Sequence, residues 1–198
     1  MSRREAIFII FLIILIISVF TYYTGLIPRG ERPGKEAIIK SLLSGVPKGL
    51  TVTSEDFSEG GFIGRVFTCD GDNINPGIQW IGVTGDIKSI AIVIYDVDAP
   101  GDYFIHWIVY NIPVNINSIP RNISGRLGFG VEGRNDFGSI GYGGPCPPPG
   151  DKPHRYVVVV LGLDIILDAG EGIDIYEFYD LASGHIVIYG ETSFNYSR

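Results

Sequence analysis

The chain has 198 residues, 45% of them apolar, with 27 glycines, 12 prolines and a formal net charge of −7. That composition excludes a disordered polar chain and fits a loop-rich globular one. The acidic balance, with no cluster of Lys or Arg to meet phosphate backbones, excludes a nucleic-acid footprint.

The first segment differs in kind from the rest. Arg3 and Arg4 precede an apolar stretch from Ala6 to about Ile27. As a helix at about 1.5 Å per residue this stretch is long enough to cross a bilayer core of about 30 Å. Tyr22 and Tyr23 fall where an interfacial aromatic belt sits, and the basic pair places the N-terminus inside. The pattern predicts an N-terminal transmembrane helix over about 6–27, with the remainder of the chain outside the cell membrane. A cleaved signal peptide releasing a secreted domain is the alternative, but no A-x-A-like site follows the run.

Residues 28–48 open with a charged, Pro- and Gly-containing spacer, "PRGERPGKE". "AIIKSLLSGVPKG" then reads as one short amphipathic helix ending near Gly45, serving either as a linker element or as a docked appendage.

From 49 to the C-terminus the signals are mostly β. "LTVTSEDF" alternates at its start, whereas "SIAIVIYDVDA" (Ser89–Ala99) is a longer apolar run of the kind buried on both faces. "YFIHWIVYNIP" (Tyr103–Pro113), "RYVVVVLGLDI" and "GHIVIYGETSF" complete the strands. The turn signals "DGDN", "DAPGD", "GRNDFG" and "DAGEG" separate them, and only "IDIYEFYDLA" has helical character. The expected class is mainly β, two packed sheets with few short helices.

Polar groups gather at the strand ends. Asp96 and Asp98 close one strand, share a face by the period of two, and lead into Pro100. His106 lies within a second strand, and His154 and Tyr156 stand at the mouth of a third, behind the stiff loop "GGPCPPPGDKP". Such a loop costs little ordering entropy on binding; it could equally cap a sheet edge. A histidine in an apolar strand is by itself most often a hydrogen-bonded core residue, and an Asp before Ala-Pro is most often a turn former.

Four stretches in order, "FTCDGDNINPGIQW" (Phe67–Trp80), "DVDAP" (Asp96–Pro100), "FIHWIVYNIP" (Phe104–Pro113) and "GYGGPCPPPGDKPHRYVVVVLGLD" (Gly141–Asp164), resemble the successive signatures of the phosphatidylethanolamine-binding protein family. The resemblance is to its bacterial and archaeal Raf-kinase-inhibitor-like branch. It implies a large central antiparallel sheet packed on a smaller one, with a small pocket at one end for phosphate-like anions or phospholipid headgroups. It assigns that pocket to Asp96, Asp98, Pro100, His106, Gly144, Pro145, His154 and Tyr156, with Phe104 at the rim. Val97 departs from the usual "DPDAP", and "FIGRVF" (Phe62–Phe67) departs from the usual Ile-Pro.

The expected function is a membrane-anchored, outward-facing binding module without a cofactor. The family also implies inhibition of kinases or serine proteases, and an outward domain favours a protease partner. A hydrolase using Cys146 and His154, or a metal site of two His and two Asp, is the competing reading. Cys69 and Cys146 either form a disulfide, which would close a long loop and contribute on the order of 4 kcal/mol, or remain as buried thiols. "NIS" at Asn122 and "NYS" at Asn195 are sequons compatible with export.

Overall fold

The computed structural model describes residues 32–198. Two strong β signals dominate it. Strand β4 (Ser89–Asp96) is buried at all eight positions, and β8 (His154–Leu163) is buried at every position except Arg155. Their β-branched runs therefore make the interior of a six-stranded sheet with both faces covered.

That sheet has the order β2-β9-β8-β4-β5-β7, completed by β2 (Gly61–Phe62), β5 (Phe104–Pro113), β7 (Val131–Glu132) and β9 (Ile186–Tyr196). All its pairings are antiparallel except that of β2 with β9. A second sheet of three strands, β1 (Thr51–Thr53), β3 (Ile78–Ile81) and β6 (Ser118–Ile119), has the order β1-β3-β6. Ile90, Ile92, Ile94, Trp107, Val109, Val158 and Val160 of the large sheet pack with Val52, Ile78, Trp80 and Ile119 of the small one. The alternate residues Ala91, Val93, Ile108, Val157 and Val159 face the opposite way and form a second core.

Two helices cover that second core. Helix α1 (Lys35–Leu43) buries Ile38, Ile39 and Leu42, and α2 (Ile175–Ala182) buries Ile175, Phe178 and Ala182. The segment left open as linker or appendage is thus docked on the sheet. Helix α2 begins with a capping box, in which the Asp174 side chain accepts from Tyr176 and Glu177 N–H and Glu177 accepts from Asp174 N–H.

The expectation of an N-terminal transmembrane helix is corrected. The segment on which it rested, about 6–27, lies outside the described residues. Among the described residues no helix is long and apolar enough to cross a membrane. α1, the helix nearest that segment, spans nine residues against the roughly 20 a bilayer needs.

Candidate functional site

Antiparallel pairing brings the end of β4 beside the starts of β5 and β8. Asp96 is in register with Phe104 on one side and Tyr156 on the other. Asp96, His154 and Tyr156 then point to the face shared with the small sheet, as the burial of Ile94 and Val158 on that face requires.

His106 reaches the same face through an irregularity. In regular alternation Ile105 and Trp107 would share one face and His106 would take the other. The β4–β5 register instead jumps from Ile94↔Trp107 to Tyr95↔Ile105, leaving His106 without a partner across the ladder. This bulge swings the imidazole beside Tyr156, ring to ring at 5.1 Å and nearly perpendicular.

A cavity of ≈ 190 Å³ opens at this place. Asp96, His106 and His154 line it together with Pro100 and Phe104, and Phe137, Cys146, Pro147 and Pro148 complete most of the wall. Lys and Arg are absent from that wall among the described residues.

Each polar group in the wall has a defined partner. His154 Nδ1–H donates to Asp96 Oδ2 over 2.7 Å, and its Nε2 lies 3.5 Å from Asp151 Oδ2. The other oxygen of Asp96 accepts from Asp98 N–H at 2.8 Å. His106 Nδ1–H donates to the Gly143 carbonyl at 2.6 Å. Burial is the dominant influence on His106 and holds its pKa below the ordinary imidazole value, opposed by the Gly143 carbonyl and the charge of Asp96.

The remaining expected residues take different places. Tyr156 is fully buried behind His106, and among the described residues its hydroxyl has no partner at ordinary hydrogen-bond geometry. Burial, and then the charge of Asp96, push that phenol well above its usual range. Asp98 lies past the end of β4, so the period of two does not extend to it. It accepts from Lys152 Nζ and Arg155 N–H, tying its own turn to the proline loop. The Lys152 hydrogen bond is the main cause holding its carboxyl below the usual range.

Gly144 and Pro145 are supports outside the cavity wall. Gly144 N–H is taken by Asn73 Oδ1, and a Cβ there would stand 2.4 Å from the Phe67 carbonyl oxygen, so only glycine fits. The Pro145 carbonyl accepts from Cys69 N–H, next to the disulfide that joins Cys69 to Cys146.

Two competing readings lose their chemistry here. Cys146 has no thiol to act as a nucleophile while it is bonded to Cys69. The two-His, two-Asp set is not completed, because Asp98 turns to Lys152, and among the described residues no three His, Cys, Asp or Glu side chains are placed to hold one metal ion together.

Phe137 is a wall residue that sequence reasoning missed. It was read as part of the turn "GRNDFG". Asp136 holds it in place, accepting from Ile105 N–H at 2.6 Å and so fastening the turn to β5. Phe137 then lies edge-on to Phe104 at 4.7 Å and to His106 at 5.4 Å. A large aromatic within a run of turn formers was the available signal, and the fold leaves it 49% exposed.

Comparison with known proteins identifies the family. A sequence model of the family described as "Phosphatidylethanolamine-binding protein" matches residues 53–197. The chain belongs to the phosphatidylethanolamine-binding protein family. A UPF0098 protein of Methanothermobacter thermautotrophicus is 38% identical over 141 residues, covering 70% of this chain and 92% of its own. Among family structures, the homolog CT736 of Chlamydia trachomatis superposes with a TM-score of 0.70 at 32% identity, over 76% of this chain and 99% of that one. YbcL of Escherichia coli, described as a new member of the mammalian family, gives 0.69 at 31% identity with the same coverage.

Proposed function

We propose that this member of the phosphatidylethanolamine-binding protein family is a binding module whose cavity takes a phosphoryl group, either free phosphate or a headgroup. The observation that carries the reading is the convergence of Asp96, His106 and His154 from three neighbouring strands on one hollow of ≈ 190 Å³. With Nδ1 held by Asp96, the Nε2–H of a protonated His154 is a directed donor to an anionic oxygen. The apolar side chains of Phe104, Phe137 and the prolines lower the polarity around that contact. The Cys69–Cys146 bond supports placing the domain in an oxidising compartment, outside the reducing cytosol.

Titration of the full chain with inorganic phosphate and with phosphoethanolamine, followed by imidazole NMR, tests the reading. His106 and His154 shift together. His185, paired with Asp164 at the opposite end of β8 and β9, stays as the internal reference. Unmoved His106 and His154 resonances at millimolar ligand would refute it.

A further inference from the structure

His106 constrains the protonation state of any phosphoryl ligand. Its Nδ1 is 2.6 Å from the Gly143 carbonyl oxygen, which can only accept, so Nδ1 carries the hydrogen. In the neutral ring, Nε2 is therefore an acceptor, and the ring that carries it lines the cavity.

The surroundings do not favour charging the ring. Phe104, Phe137 and Tyr156 pack against it. From β4 it faces Asp96, from β8 His154 and Tyr156, and from the turn after β7 Asp136. Both Asp96 oxygens are engaged, by His154 Nδ1–H and by Asp98 N–H. Asp151 of the proline loop approaches His154, while Asp98 and Lys152 satisfy each other.

Any positive charge on His154 is thus matched by Asp96, and Asp151 adds a further negative charge near it. A phosphate dianion would enter a hollow with no excess positive charge and meet an acceptor at His106. Both effects penalise it.

Resting on the phosphoryl reading above, we propose that the cavity selects phosphomonoesters or inorganic phosphate as the monoanion, the ligand's own P–OH donating to His106 Nε2 while a second oxygen accepts from His154 Nε2–H. A dianion must take up a proton from solvent before it binds. A phosphodiester, a monoanion with no P–OH, lacks the required donor. For a monoester, with a second ionisation near pH 6, the binding-competent form falls about tenfold between pH 7 and pH 8.

Calorimetric titration of the full chain from about pH 5.5 to about pH 8.5 tests this with phosphoethanolamine, methylphosphonate and difluoromethylphosphonate, whose second ionisations differ. The pH at which affinity begins to fall moves up for methylphosphonate and down for difluoromethylphosphonate. Dimethyl phosphate binds at least about tenfold more weakly than phosphoethanolamine at pH 6. Phosphatidylcholine vesicles carrying phosphatidic acid, compared with inorganic phosphate, distinguish a lipid source from a soluble one over the same pH window. One common midpoint for the three monoesters and phosphonates, undiminished affinity at high pH, or equal binding of dimethyl phosphate overturns the proposal while leaving the phosphoryl site standing. No binding by any of these ligands to the folded chain overturns the site and the proposal together.

Discussion

His154 donates through Nδ1 to Asp96 Oδ2 across 2.7 Å, although the two lie 58 residues apart in the chain. Both side chains are almost fully buried, at 2% and 5% exposure. The pair fixes which imidazole nitrogen is turned away from the carboxylate, and so which one can meet a ligand. Removing one partner strands the other. Asp96→Ala is expected to cost about 3–5 kcal/mol in urea denaturation, and Asp96→Asn distinctly less because an amide can still accept. An Ala variant as stable as the parent would show that the pair is not formed in solution.

His106 makes stability pH-dependent with a definite sign. Its imidazole is held below the ordinary value of 6.5 by burial, so the folded domain keeps it neutral while the unfolded chain takes up a proton. Its contribution is fully present above about pH 6.5 and is lost as the pH falls from there through the lower folded value. His106→Asn removes this proton. Between pH 5 and 6 the wild-type stability curve is expected to be steeper than the variant's, by at most about 1.4 kcal/mol per pH unit. Parallel curves would contradict it.

The Cys69–Cys146 bond spans 77 residues of sequence and contributes a wall atom to the cavity. Reduction, or paired substitution to Ser, is expected to lower stability by about 4 kcal/mol by freeing the unfolded chain. It should also weaken phosphate binding, because the loop bearing Pro147 and Pro148 loses its anchor. Tm and Kd measured with and without reductant check both effects, and an unchanged Tm would remove the disulfide from the account.

Helix α1 starts at Lys35 behind Gly34, which has no side chain to cap it. Asp102, from the turn between β4 and β5, serves instead, its two oxygens accepting from Lys35 and Glu36 N–H at 2.6 and 3.0 Å. Burial pushes the Asp102 carboxyl upward, but hydrogen bonds from Glu36, Lys35 and Tyr103 N–H outweigh it and hold the pKa below the usual range. Asp102→Ala is expected to cost about 1 kcal/mol. Hydrogen exchange should locate the loss in α1; a uniform loss across the domain would argue against capping.

Val97 stands where the family usually carries proline. Its N–H donates to the Arg155 carbonyl at 3.1 Å, adding one bond between the β4 turn and β8. Val97→Pro deletes that donor and is expected to destabilise by about 1 kcal/mol or more despite the stiffer turn. A stabilised variant in thermal denaturation would show that rigidity outweighs the bond.

Much of the fold was legible in the residues. The apolar runs of β4, β5 and β8 announced the large sheet, because a strand buried on both faces needs apolar side chains along most of its length. Two helices were also readable from their apolar spacing, and Asp174 with Glu177 marks the start of the second. Local chemistry suffices for such features, since each depends on neighbours two to four positions away.

The site was legible only in part. Histidine, aspartate and proline at strand ends could be picked out, and the family resemblance joined them. Alternation alone would have turned His106 away from Trp107's face; a bulge set by pairing with β4 brought it to Tyr156. Asp98 seemed equivalent to Asp96 until the strand ended between them, and Phe137 was hidden in a turn until Asp136 fastened it to β5. The sequence by itself determined where the long strands of the large sheet run, which groups can carry charge and where the chain is stiff. Tertiary structure alone decided which of those groups share a cavity, because register, bulges and side-chain ties between distant segments are energies of pairing that no single stretch of chain contains.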